Sequence, residues 1–376
     1  MKTRKLGKIN ENISLLGYGC MRLPKIQEDK PDIDKEKAQR LIDYAYAHGV
    51  NYFDTALPYH NGLSELFIGE ALKKYPRESF NLATKMPPWK LKTTEDADQL
   101  FEEQLRKCQV SYFDFYLIHS LGTENFKRAE ELDIHDVLRR KKAEGKIRYL
   151  GFSFHDTPKL LDTIVHAHEW DFAQIQLNYL DWELQDARGQ YEILTANDIP
   201  VIVMEPVRGG ALATLCERSK TVLAQAEPTA SPASWAIRYA ASLPNVLTVL
   251  SGMTEMSQVR DNVGTMTDFK PLDEAERNVL RQALEMYKES RTIPCTGCRY
   301  CMPCPAGVDI PRIFAAYNQY CVSKNKGAFL TAYREMGDAK QAHHCISCKK
   351  CMEQCPQSIE IPRMLDEAGT FAATLM

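Results

Sequence analysis

Residues 51–65 read NYFDTALPYHNGLSE: a short apolar strand ending on Asp54, a loop carrying Tyr59 and closed by Gly62, then a helix for which Ser64 is the expected N-cap. An acid at a strand end and a phenol in the following loop suit proton transfer at the rim of a barrel sheet. Taken alone, Asp54 equally suits a carboxylate bonding loop amides, and Tyr59 an ordinary half-buried aromatic. The decision lies with the rest of the chain.

The same strand–loop–helix unit recurs on either side. Apolar runs at 15–19, 52–54, 81–84, 113–118, 148–152, 172–176, 201–204 and 246–250 alternate with amphipathic helical runs at 34–48, 63–74, 94–108, 131–144, 157–168, 185–197, 232–242 and 255–263. Pro158 and Pro232 stand just inside helix starts, and Gly49 and Gly145 just past helix ends. Eight alternations predict an α/β fold closed as a (β/α)8 TIM barrel. An open doubly wound sheet is the alternative, but no G-x-G-x-x-G follows the first strand. Residues 5–19 are expected to form a hairpin leading into that strand, with Gly7 and residues 10–12 as turns. Residues 273–289 add one further amphipathic helix.

In a barrel of this kind chemistry sits at the C-terminal strand ends. Here those ends carry Asp54, Lys85, His119, Ser153, Gln176-Leu177-Asn178, Glu205 and Ser251-Gly252. Singly, each is an ordinary solvated or structural residue; in series at one rim they describe a site. A phenol, with a pKa near ~10, is a poor acid–base group at neutral pH. Lys85 beside Tyr59 favours the phenolate, Asp54 keeps Lys85 charged and oriented, and His119 fixes a carbonyl oxygen. Such a cluster exchanges a proton with a carbonyl or alcohol, so a hydride donor must be the second reagent. Ser153 and Gln176 suit a nicotinamide carboxamide. Gly209 and Gly210, beside Arg208, leave room for a pyrophosphate at backbone amides.

These residues resemble the aldo-keto reductases. The likeness rests on FDTALPYHNGLSE at 53–65, TK at 84–85, DFYLIHS at 114–120, GFS at 151–153, QLNY at 176–179, and Gly252 and Asn262 of SGMTEMSQVRDN, and it spans about residues 4–290. It implies that Asp54, Tyr59, Lys85 and His119 are the catalytic tetrad, with Tyr59 the proton donor, and that Ser153 and Gln176 hold the nicotinamide of NADP(H). Three positions depart from the family pattern. Phe154 and His155 follow Ser153, Met204 replaces the tyrosine under the nicotinamide, and Gly252 and Gln258 stand where basic residues clasp the adenosine phosphate. NAD(H) is therefore the alternative cofactor, with Arg260 as a substitute cation.

From residue 293 the composition changes. Of twelve cysteines, Cys295, Cys298, Cys301 and Cys304 form C-x2-C-x2-C-x2-C-P, and Cys345, Cys348, Cys351 and Cys355 form C-x2-C-x2-C-x3-C-P. The second is the spacing of two-cluster bacterial ferredoxins and the first is one residue short. Ile310-Pro311-Arg312 and Ile361-Pro362-Arg363 echo one another after each motif, marking an internal duplication. We assign one [4Fe-4S] cluster to Cys295, Cys298, Cys301 and Cys355 and a second to Cys345, Cys348, Cys351 and Cys304. Helical runs at 311–322 and 326–336 point to an all-helical ferredoxin-like domain. Two four-cysteine zinc sites are the alternative. Cys20, Cys108, Cys216 and Cys321 read as small buried hydrophobes.

The expected domains are therefore 1–290, the barrel, and 291–376, the helical cluster domain. A formal net charge of -3 with mixed signs gives no footprint for nucleic acid or anionic membrane. No apolar run approaches the ~18 residues of a membrane span, and the expected location is cytoplasmic. Three functional readings follow. The preferred one is carbonyl–alcohol chemistry with NAD(P)H on a small-molecule substrate, the clusters being structural or regulatory. The others are electron delivery through the clusters from an electron-transfer protein, and a redox-sensing or electron-carrier module.

Overall fold

The computed structural model describes residues 1–27 and 30–376. Strands β1 (Thr3–Leu6) and β2 (Ile9–Ser14) pair antiparallel. Gly7 takes the turn with φ 55°, whereas residues 10–12, expected as a turn, run inside β2. Ile9 and Ile13 are fully buried and join Tyr52, Phe115, Phe172 and Leu247 in one apolar cluster. Those partners lie early in their strands, so the hairpin plugs the N-terminal mouth of the barrel and leaves the opposite rim open for chemistry.

Eight further strands close the barrel: β3 (Leu16–Gly19), β4 (Tyr52–Asp54), β5 (Asn81–Met86), β6 (Phe113–Leu121), β7 (Ile147–Phe154), β8 (Phe172–Gln176), β9 (Val201–Met204) and β10 (Val246–Ser251). All pairs are parallel and in chain order, and β10 returns to β3. This is the expected (β/α)8 TIM barrel. Several strands run one to three residues beyond their apolar stretch: Lys85 and Ser153 continue the ladder although they are polar, and His119 falls where the β6–β7 register shifts. Both faces of these strands are covered, which explains their near-continuous apolar composition.

The helices follow the predicted runs closely. Thr94–Cys108 starts at a Thr93–Asp96 capping box. Ser64 is not a cap: Gly62, left-handed at φ 90°, precedes the helix Leu63–Leu72. The Ser64 hydroxyl instead donates to Cys20 O at 3.2 Å and lies 2.8 Å from the Thr55 hydroxyl. The segment after β6 also holds a helix, Thr123–Glu131, that its charged composition concealed.

Two compact units divide the chain: Met1–Pro206 with Ala236–Pro271, and Val207–Trp235 with Leu272–Met376. The packing units thus divide elsewhere than at residue 293, where the composition changes. Within the second unit Glu217–Ala226 packs on Glu274–Lys288, and Ser219 donates to Ala283 O at 2.7 Å. The cysteine-rich part is helical, with Ile310–Ser323, Lys326–Arg334 and Ile361–Ala373 around a core of Ile313, Phe314, Phe329, Tyr333 and Leu365. Pro311 and Pro362 each sit in the first turn of a helix, so the repeated Ile-Pro-Arg is a helix start. Among the described residues no helix is long and apolar enough to cross a membrane.

Candidate active site

Four residues distant in sequence meet at the C-terminal rim of the first unit. β4 ends on Asp54, β5 carries Lys85 and β6 carries His119, while Tyr59 begins the short turn Tyr59–Gly62 after β4. Lys85 has no exposed surface. Its Nζ donates to Asp54 Oδ1 at 2.7 Å and Oδ2 at 2.8 Å, to Thr55 O at 2.9 Å and to Tyr59 OH at 3.2 Å. The Tyr59 and His119 rings meet edge-on at 6.2 Å, and the Trp89 ring lies 5.1 Å from that of His119.

Burial dominates the electrostatics. It raises the Tyr59 phenol well above its usual value, with Asp54 and Glu205 adding and Arg22 opposing. Desolvation thus favours the protonated phenol, the form a proton donor holds. Burial lowers Lys85 against the pull of Asp54, and raises Asp54 against the pull of Lys85. His119 is driven well below its usual value by burial, then by Lys85 and His155. The arrangement presents a protonated phenol and a neutral imidazole at one rim.

A second layer holds Lys85 in place. Glu65, fully buried, accepts from Thr84 Oγ1 at 2.7 Å and Gln104 Nε2 at 2.6 Å, and Gln104 Nε2 also donates to Lys85 O at 3.0 Å. Sequence reasoning assigned no role to Gln104 or to Arg22. Arg22 pairs with Glu205 at 2.7 Å, joining the segment after β3 to the end of β9. β3 was the one strand whose end went unread, and Arg22 closes the short turn Cys20–Arg22 that follows it.

The proposed nucleotide contacts are scattered more widely. Ser153 Oγ accepts from Ser120 N at 2.7 Å, and Gln176 Nε2 donates to Asp181 Oδ2 at 2.7 Å. Both side chains are buried amide or hydroxyl groups on adjacent strand ends, a donor and acceptor set that fits a carboxamide. The Met204 sulfur lies 3.5 Å from Gln174 Nε2. Asn262 donates to Ser251 Oγ at 2.9 Å. Gly252 lets the Arg22 stem pass, since a Cβ there would lie 3.1 Å from Arg22 Cβ. Gln258 is occupied as the capping partner of Met256–Thr267, accepting from Thr254 N at 2.8 Å and Glu255 N at 3.1 Å. Arg260 lies over the Tyr44 ring.

Gly209 and Gly210 belong to the second unit and differ from one another. A Cβ on Gly209 would fall 2.1 Å from Thr296 O, so its bareness serves the cysteine-rich loop. A Cβ on Gly210 would meet nothing within 4 Å. Arg208, read as a neighbour of phosphate, is buried and donates to Pro294 O and Gln357 Oε1.

The motif cysteines form two sets. Cys304, Cys345, Cys348 and Cys351 line one pocket with Ile310 and Leu365. Cys298 and Cys355 both bear electrostatically on Cys295 and Cys301, and Cys351 bears on Cys301 as well. In the pocket, three cysteines of the second motif meet the last of the first, and an all-thiolate donor set of this kind fits an iron–sulfur cluster. Of the remaining cysteines, Cys20, Cys108 and Cys321 are buried, while Cys216 is only half-buried and lies 3.2 Å from Ser219 Oγ.

Residues 15–285 match the model of the aldo/keto reductase family, and residues 294–360 that of a 4Fe-4S dicluster domain. Probable aldo-keto reductase 1 of Glycine max is 33% identical over 191 residues, 48% of this chain and 51% of that protein. The NADH-specific methylglyoxal reductase of Escherichia coli is 24% identical over 334 residues, 76% of this chain and 99% of that protein. Among solved structures, an aldo-keto reductase from Bacillus halodurans in its holo form gives a TM-score of 0.63 at 28% identity, over 75% of this chain and 96% of its own. The barrel, its order of strands and the extent of the family match lead to one conclusion: the chain belongs to the aldo/keto reductase family of oxidoreductases, with a 4Fe-4S dicluster domain following the barrel.

Proposed function

We propose that the barrel interconverts a small-molecule carbonyl and its alcohol with Tyr59 as proton donor, and that the eight motif cysteines hold two [4Fe-4S] clusters in the crossed sets given above. The observation that carries the first part is the 3.2 Å bond from Lys85 Nζ to Tyr59 OH, with Asp54 behind it. Burial keeps Tyr59 protonated at neutral pH, the state a donor must hold. As a carbonyl oxygen gains charge, the Tyr59 O–H passes its proton there, and the ammonium of Lys85, fixed by Asp54, stands against the phenolate left behind. His119, kept neutral, offers a ring nitrogen to the same oxygen without adding charge.

A nicotinamide cofactor, when bound, supplies the hydride. Ser153 and Gln176 would hold its carboxamide, Met204 would support the ring, and Ser251, Gly252 and Asn262 would border the remainder. Gln258, which caps the helix Met256–Thr267, would lie beside them. NADP(H) is the expected carrier. One relative is NADH-specific by name, which keeps NAD(H) as the alternative. The dicluster match favours a second reading, in which a partner protein passes electrons through the clusters to a substrate in the barrel.

Tyr59→Phe tests the first reading. Reduction of small aldehydes by NADPH or NADH is expected to fall by about 10²–10⁴-fold while the circular dichroism is unchanged. Equal rates in the variant and the parent would end it. Re-oxidation of pre-reduced clusters by a carbonyl, without nicotinamide, would instead support the second.

A further inference from the structure

Arg208 is a buried cation of the second unit that the proton-transfer site does not use. It is 2% exposed, and a guanidinium so enclosed is costly unless its donors are satisfied. Its Nη2 donates to Pro294 O at 2.9 Å and to Gln357 Oε1 at 3.0 Å. Pro294 immediately precedes Cys295, and Gln357 lies two residues after Cys355. The two partners come from different motifs, yet both flank cysteines of one set. The next residue, Gly209, is left-handed at φ 63° and lies close against Thr296, the residue after Cys295. Residues 208 and 209 are thus clamped on the loop that carries Cys295.

We propose that Arg208 tunes the iron–sulfur cluster held by Cys295, Cys298, Cys301 and Cys355, raising its reduction potential selectively over that of the second cluster. The inference rests on the reading that these cysteines bind a cluster. Reduction adds one electron and makes or breaks no bond, so the cluster gains one negative charge. A fixed cation enclosed with it at low dielectric stabilises that reduced form, and net charge and hydrogen bonding are the protein's levers on such potentials. A clamp with a purely structural role would not produce a selective shift.

The test uses the full-length protein, purified anaerobically and assayed for iron and sulfide, then titrated with dithionite while reduced clusters are followed by electron paramagnetic resonance. Two variants are compared with the parent. Arg208→Gln removes the charge, and Gln357→Glu keeps the guanidinium but sets a carboxylate against it. In both, one midpoint is expected to move to lower potential while the other moves far less. Unchanged midpoints, equal shifts of both, or loss of cluster iron from both variants would overturn the proposal in favour of a structural clamp. If Arg208→Gln alone loses iron, the direction of the Gln357→Glu shift decides. A parent protein lacking iron and sulfide for two clusters would overturn the dicluster reading itself, and the tuning role with it.

Discussion

Lys85 concentrates the physics of the first unit in one side chain. Its ammonium is fully buried, and among the described residues Asp54 is the one charge hydrogen-bonded to it. Replacing Lys85 by Met would leave the Asp54 carboxylate enclosed without its partner, a change expected to cost about 3–5 kcal/mol. Urea unfolding would measure that loss, and carbonyl reduction would fail in parallel. His155 provides a pH test. Burial lowers it to about 4, with Glu205 opposing. Because the folded value lies below the unfolded value near ~6.5, the unfolded chain binds more protons between the two. Stability is therefore complete above about 6.5 and lost as pH falls toward the folded value, by roughly 3 kcal/mol at most. His119 shifts in the same direction. Unfolding midpoints are expected to drop between pH 7 and 5, and less so in His155→Gln; identical slopes would refute the assignment.

Adjacent elements meet where the chain has no side chain. Gly151 in β7 faces Phe172 at the start of β8, and a Cβ there would lie 2.4 Å from Phe172 O. Gly151→Ala must push two barrel strands apart and is expected to destabilise by about 1–3 kcal/mol. Gly264, in the helix Met256–Thr267, meets nothing within 4 Å. Gly264→Ala is expected to stabilise by about 0.5–1 kcal/mol, since only helix propensity changes. Paired denaturation curves check both signs. Element positions were largely legible because apolar periodicity and Pro/Gly punctuation are local signals. Ser64 was misjudged because a serine near a helix start looks alike whether it caps its own helix or bonds, as here, to Cys20 O. Gln258 shows the same ambiguity between a helix cap and a nucleotide contact.

At the scale of the molecule, the cluster reading makes a prediction about connectivity. Cys355 lies in the second motif but groups with Cys295 and Cys301. Cys355→Ser is expected to perturb the spectrum of the cluster held by the first motif and to spare the one lined by Cys345, Cys348 and Cys351. Iron content should fall toward half, while the circular dichroism of the barrel persists. Loss confined to the second motif's own cluster would show uncrossed ligation. Metal binding and folding of this unit are coupled, so chelation should also lower its thermal midpoint.

The sequence by itself determined the alternation of strands and helices, the closed barrel, the residues at seven of its rims and the two cysteine motifs. Each is written in local spacing or composition, which survives without knowledge of what packs against what. Tertiary structure alone decided the rest. Whether Tyr59 rests as phenol or phenolate depends on burial, and the role of Arg208 depends on which loop closes over it. The helices at 217–226 and 274–288 pack on one another within the unit that holds the cysteine motifs, a pairing that no local pattern in either helix records. Desolvation and long-range contact are properties of the folded neighbourhood, so a residue's identity and spacing cannot state them.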